Sequence, residues 1–159
     1  YRSTAKDGDY QNIKTINSVG TSSWTDGSVK TGKTYYYKIK TVVKTQNGEQ
    51  TSGFSNVKSA KAVPAKTTLK AKASDAKNVK LTWSKVKGAS GYEIYRSNSK
   101  DGKCSKVKTI SKGSTTSYKN GKLKKSTTYY YKIRAYRKVN GKKVYGSYSS
   151  VVSVKTKAK

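Results

Sequence analysis

Between residues 79 and 136, apolar and polar positions alternate with a period of two. Val79, Leu81 and Trp83 are separated by Lys80 and Thr82, and Tyr92 and Ile94 alternate with Glu93 and Tyr95. A longer run places Tyr129, Tyr131, Ile133 and Ala135 against Tyr130, Lys132, Arg134 and Tyr136. Such alternation marks strands with one buried and one wet face. No segment shows a helical period. Asp-Gly or Asn-Gly pairs at Asp7, Asp26, Asn47, Asp101, Asn120 and Asn140 fall between the runs. These pairs are hairpin signals, because both central residues of the favoured turn need positive φ. Short strands separated by turn signals predict an all-β antiparallel sandwich or barrel.

The pattern occurs twice. Tyr1-Arg2-Ser3 followed by Lys6-Asp7-Gly8 returns as Tyr95-Arg96-Ser97 followed by Lys100-Asp101-Gly102, an offset of 94 residues. At the same offset Lys14-Thr15-Ile16 becomes Lys108-Thr109-Ile110, Trp24 becomes Tyr118, and Thr34–Ile39 becomes Thr128–Ile133. A period this long fits a whole small domain instead of a solenoid repeat. The only proline, Pro64, sits where the second copy begins, and proline suits a linker or strand edge. The expected domains are therefore residues 1–64, the C-terminal part of one copy, and residues 65–159, a complete copy.

The second copy resembles a fibronectin type III domain of the Lys- and Tyr-rich kind found in tandem on Gram-positive bacterial surface proteins. Leu81-Thr82-Trp83-Ser84, Gly91-Tyr92-Glu93-Ile94-Tyr95, and Leu123 followed by Thr127, Tyr129, Tyr131, Ile133 and Ala135 carry the resemblance, with Ser149–Thr156 as the last strand. It implies an antiparallel β-sandwich with Leu81, Trp83, Tyr92, Ile94, Leu123, Tyr129, Tyr131 and Ile133 in the core. Leu123 and Tyr129 match the family's leucine and tyrosine-corner positions. Copy one departs from the pattern, since Tyr1 matches Tyr95, late in the third strand. A sandwich without its first strands has open edges that pair with other chains. Three readings follow for residues 1–64: a fragment of a longer array, completion by a neighbouring chain's strand, or partial disorder. A start at Tyr1 instead of Met is read as a mature product or excised fragment, and no signal-peptide pattern is present.

Composition bears on function more than on fold. There are 36 Lys and Arg against 7 Asp and Glu, and low hydrophobicity with such charge also characterises disorder. The 14 Tyr and 2 Trp, set in period-two runs, argue for a core. Residues 1–64 hold 10 basic and 4 acidic side chains, and residues 65–159 hold 26 and 3. Only Arg2, Arg96, Arg134 and Arg137 are arginines, so the field is one of Lys point charges, suited to diffuse attraction to a polyanion. There is no His, and Cys104 is the single cysteine. No cofactor, zinc site or catalytic activity is expected. The pair Glu93 and Asp101 are the only carboxylates that could serve a glycosidase in the full copy, and they lie on an ordinary hairpin. Cys104 is read as a strand residue, with an intermolecular disulfide as its alternative. No apolar stretch is long enough to span a bilayer.

Positive charge mixed with aromatics on one sheet face marks a candidate binding surface. Tyr130, Lys132, Arg134 and Tyr136 are expected outward on the sixth strand, with Tyr95, Lys106 and Lys108 on neighbouring strands. The plainer account is that outward Tyr are good cross-strand partners and that Lys blunts edges. The resemblance implies an extracellular or surface-attached, non-catalytic spacer or adhesion module flanked by further domains, with an anionic wall polymer or host glycan as partner. A dedicated polyanion or nucleic-acid binding protein is the alternative, and an assembly subunit completed by a neighbour's strand is the third.

Overall fold

The computed structural model describes residues 1–159, which divide into two compact units, Tyr1–Ala62 and Val63–Lys159. Both are built of β-strands and contain no helix.

The second unit is a β-sandwich of two antiparallel sheets. The first unit holds five strands, β1 to β5, so the second begins with β6 (Leu69–Ala73) and β7 (Val79–Trp83). It continues with β8 (Gly91–Ser97), β9 (Ser105–Ile110), β10 (Ser117–Asn120), β11 (Thr128–Val139), β12 (Lys142–Tyr145) and β13 (Val152–Lys155). One sheet has the order β10-β7-β6, the other β12-β11-β8-β9, and β13 shares the β12 edge of β11. Between β12 and β13 the Gly146 amide donates to Ala135 O and the Ser149 amide to Ile133 O, so this edge stays tied to β11. Inward residues of the two sheets form one core. It contains Leu69, Val79, Leu81, Trp83, Tyr92, Ile94, Leu123, Tyr129, Tyr131, Ile133 and Ala135. Trp83 packs on Tyr92 with ring centroids 5.4 Å apart. The Lys124 amide donates to Tyr129 Oη at 2.9 Å, which fixes the chain as it enters β11. Pro64 is buried with its carbonyl close against Gly146, so it is packed onto this unit and is not a free linker.

The first unit contains β1 (Arg2–Ser3), β2 (Thr34–Tyr37), β3 (Val42–Thr45), β4 (Gly48–Thr51) and β5 (Lys58–Lys61). They form a sheet of order β1-β2-β5 and a separate β3–β4 hairpin. Strand β2, the broken stretch after it and β3 together correspond to the single long β11. In unit 2 the middle of β11, residues 132–136, is held by residues 91–95 of β8. Unit 1 has no counterpart of Gly91–Ile94, and the chain from Lys38 to Thr41 leaves the ladder. Residues 23–26 are likewise irregular, whereas their counterparts in β10 are held by β7. A strand without a partner loses its ladder hydrogen bonds.

The Asx-Gly pairs correct a sequence expectation. Only Asn140 and Gly141, with φ of 49° and 76°, have positive φ at both positions and close the β11–β12 hairpin. At Asn47-Gly48, between β3 and β4, only Gly48 has positive φ. The other four pairs have none at either residue. Asp7 and Asp101 lie in turns closed by Gly8 N to Ala5 O and Gly102 N to Ser99 O. The Asp26 and Asn120 side chains are used as hydrogen-bond hubs instead.

Candidate binding surface on the outer sheet face

In unit 2 the hub is Asn120, whose Oδ1 accepts from Arg96 Nη1 at 3.2 Å and Tyr131 Oη at 2.8 Å. The Arg96 guanidinium lies 5.1 Å from the Tyr129 ring centre. Burial pushes the Tyr131 hydroxyl up to about 12. Unit 1 repeats the group as Arg2, Asp26, Tyr35 and Tyr37. Asp26 Oδ2 accepts from Arg2 Nη1 at 2.8 Å and Tyr37 Oη at 3.0 Å, and Arg2 lies 5.1 Å from the Tyr35 ring centre. Burial opposes ionisation of Asp26, but donors from Ser28, Arg2 and Tyr37 outweigh it and hold the carboxyl at about 2. Both groups are structural.

The outer face of the five-stranded sheet carries the candidate surface. Register sets Arg134 on β11 opposite Glu93 on β8, and Lys132 opposite Tyr95. Glu93 is only 1% exposed, although it is on the outer face, because neighbouring side chains close over it. Its Oε2 accepts from Tyr95 Oη at 2.8 Å and Arg134 Nη2 at 2.9 Å. Its Oε1 accepts from Lys143 Nζ at 2.9 Å and Tyr145 Oη at 3.2 Å, with Lys106 Nζ at 3.7 Å. Burial works against the charge on Glu93, yet hydrogen bonds from Lys143, Arg134 and Tyr95 prevail and hold its carboxyl at about 2. Burial also raises the Tyr95 hydroxyl, and next to Glu93 the Lys143 ammonium is held above its usual range.

Aromatic rings wall this ion cluster. The Arg134 guanidinium is 3.7 Å from the Tyr145 ring centre and 4.9 Å from that of Tyr148, and Lys132 Nζ is 4.5 Å from the Tyr148 ring. Cation–π contact of this kind is strongest where water is excluded. Arg134 Nε is buried and has no hydrogen-bond partner.

The seven candidate residues are thus not equivalent. Tyr95, Lys106, Lys132 and Arg134 share the outer face, and Tyr130, half-buried, precedes Lys132 in the same row of β11. Tyr136 belongs to the same row but is 1% exposed, which corrects the expectation of an outward-facing aromatic. It is paired with Gly91, and its hydroxyl donates to Ile110 O at 3.3 Å. A Cβ at Gly91 would collide with that hydroxyl and with Ile110 O, so the bare glycine is the floor on which the ring lies. Lys108 is a second correction. The register shifts between Ile94 and Tyr95, which inserts Val107 as an extra residue in β9. The bulge reverses the alternation, so Lys108 pairs with inward Ile94 and its Nζ lies 5.9 Å from the Tyr118 ring, away from Glu93. Lys143, Tyr145 and Tyr148 complete the cluster and were missed from the sequence. Their one signal was the basic, Tyr-rich stretch after Asn140-Gly141.

No group of His, Cys, Asp and Glu side chains is arranged to hold a metal ion, and no helix is long and apolar enough to cross a membrane. Cys104 is a free, partly exposed thiol between β8 and β9.

The sandwich is the fibronectin type III fold. The chain is similar to the FN1-FN3 domains of chicken CNTN1, with 22% identity and a TM-score of 0.52 over 84% of this chain. It spans 46% of that three-domain fragment. It is also similar to the 6th fibronectin type III domain of human fibronectin type III domain containing protein 3, with 18% identity and a TM-score of 0.52, over 63% of this chain and 92% of that one. The fn3 domain of human contactin 1 gives 18% identity and a TM-score of 0.50, over 63% and 81%. At these identities the likeness is one of fold. No family model and no curated protein matches the chain.

Proposed function

We propose that the chain is a non-catalytic spacer or adhesion segment of a larger extracellular protein of the bacterial surface kind, whose second unit attracts an anionic wall polymer or glycan. The observation that carries this reading is the outer face of the five-stranded sheet. There Glu93 is enclosed by its own partners, Lys106 stands at the margin of that cluster with its Nζ 3.7 Å from Glu93 Oε1, and Lys132 Nζ lies 4.5 Å from the Tyr148 ring centre. The Lys106 side chain is 49% exposed. An anionic polymer meets positive charge from a rigid sheet at this face, and tyrosine edges and faces can lie against sugar rings. Charge on the remainder of unit 2 adds long-range attraction, which falls with salt.

Arg134 and Tyr136 are unsuitable probes of such a site, because both hold the sheet together. The test is titration of the intact chain with teichoic acid, heparin and single-stranded DNA at rising salt. Wild type is compared with Lys106→Ala/Lys132→Ala. Neutralising two or three phosphates of a single strand predicts a roughly seven- to twenty-fold loss of affinity between about 50 and 200 mM salt, with a shallower slope in the double variant. Equal binding by the variant to every polymer would reject the face as a site. Tightest binding to single-stranded DNA would favour a dedicated nucleic-acid binder.

A further inference from the structure

The outer face of the three-stranded sheet of unit 2 carries a second concentration of charge. The strand order β10-β7-β6 sets Lys119, Lys80 and Lys72 directly opposite one another in one row. The next row is Ser117, Thr82 and Lys70. Alternation along β7 buries Val79, Leu81 and Trp83 and turns Lys80 and Thr82 outward, and all four lysines are exposed. Neighbouring strands lie about 4.8 Å apart, so the three lysines of the row are anchored within about 10 Å.

Such a row opposes folding, because like charges directly opposite on a sheet are destabilising. No carboxylate offsets it, since the ion pairs of the chain involve only Asp26 and Glu93. Asp75, in the β6–β7 turn, accepts from the Lys77 amide at 2.8 Å and from Asn78 Nδ2 at 2.8 and 2.9 Å. Lysine on an edge strand blunts it against unwanted pairing, which accounts for Lys70, Lys72 and Lys119. Lys80 is on the central strand, where there is no edge to protect. Nor does the repeat require this charge, because the unit 1 counterpart of Lys119 is Thr25.

A face that holds unbalanced charge against its own stability fits a partner that supplies the opposite charge. The side chains narrow the choice. The outward positions of both rows are Lys, Thr and Ser, with no aromatic ring on which a base or a sugar face could stack. Lysine binds phosphate as a point charge without a fixed geometry, and the Thr82 and Ser117 hydroxyls beside it are further donors. On the proposed attraction of unit 2 to an anionic polymer rests a sharper assignment: we infer that the Lys72–Lys80–Lys119 row is the binding face for a linear phosphodiester polymer of the polyol phosphate kind. Successive phosphates lie across the three strands, and the tyrosine-walled face of the other sheet is left to sugar rings.

The intact chain is titrated with poly(glycerol phosphate) at rising salt. Wild type is compared with Lys72→Thr/Lys80→Thr/Lys119→Thr and with Lys106→Ala/Lys132→Ala. A third variant, Lys85→Thr/Lys87→Thr/Lys112→Thr, removes the same charge as the row variant from exposed positions outside the strands. Threonine favours strands, so the row variant folds. With three phosphates at the slope of a single strand, wild-type affinity falls roughly twenty-fold between about 50 and 200 mM salt, and the row variant loses about two from that log–log slope. Without polymer, at low salt, the row variant melts a few degrees above wild type because the repulsion is gone. Higher stability together with weaker binding is a combination that a structural role does not produce. Equal losses in the two triple variants would reduce the effect to net charge and overturn the inference. So would wild-type affinity in the row variant, or a row variant that melts below wild type. Loss of the polymer in Lys106→Ala/Lys132→Ala alone would overturn it while leaving the proposed function intact, and absence of binding by wild type would remove both. Tighter binding of heparin or single-stranded DNA through the row would overturn it in favour of that other occupant.

Discussion

Replacing Glu93 by Gln keeps the shape of the side chain and removes its charge. In the folded unit the carboxyl titrates at about 2, against roughly 4.3 for an unstructured glutamate. The depressed value means that the folded state favours the ionised form. Its contribution is complete above the unfolded value and is lost as pH falls from about 5 to 2. A gap of about 2.3 pH units corresponds to about 3 kcal/mol at neutral pH. Most of this disappears with the charge, because Arg134 and Lys143 keep theirs in a partly closed space. In a domain of this size each kcal/mol shifts the melting temperature by roughly 4–8 °C, so Glu93→Gln should melt roughly 10–25 °C below wild type at pH 7. Thermal unfolding followed by near-ultraviolet circular dichroism measures it, repeated at half-unit steps down to pH 2 in a constant sulfate background. The wild-type and variant curves should converge as the pH falls. A difference below about 0.5 kcal/mol at pH 7, or one that stays constant to pH 2, would refute the view that Glu93 ties β8, β11 and β12 together through its charge.

Other expectations follow from neighbouring features. Gly91→Ala places a methyl group where Tyr136 and Ile110 O already meet, and should cost about 1–3 kcal/mol of overpacking in denaturant unfolding. Gly141→Ala forces a left-handed backbone on a residue with a Cβ and should cost about 1 kcal/mol. Its effect should be local to β11–β12 amide exchange. The raised Tyr131 hydroxyl makes the folded unit prefer the neutral form, so stability present below pH 10 is lost as pH rises towards 12. Tyr131→Phe should remove that part of the alkaline slope while losing about 1 kcal/mol at pH 7 through its missing bond to Asn120.

The sandwich was legible because its inward positions are apolar and its outward ones polar over long runs. Tyr129, Tyr131 and Ile133 sit at every second residue and all reach the core. Where that alternation stopped tracking burial, the reading stopped too. Tyr136 falls on an outward position and is buried by the empty space above Gly91, a property of the partner strand. Lys108 was reversed by one extra residue in β9, which period counting along a single strand does not reveal. Glu93 looked like an ordinary hairpin carboxylate, and its cage depends on register that brings residues 106, 134, 143 and 145 to one point. The irregular course of residues 23–26 has the same origin. Their sequence is compatible with a strand, but β structure needs a partner, and none lies within unit 1.

The link from Asn120 to Arg96 and Tyr131 crosses from one sheet to the other. Apolar packing between sheets is non-directional, so it resists separation far better than sliding. A directional polar tie placed across the seam adds stiffness in shear. Sliding of one sheet over the other is the deformation that a pull along the strands of a sandwich produces. The Arg96–Asn120–Tyr131 group is in this sense a rivet through the sandwich, set against such sliding.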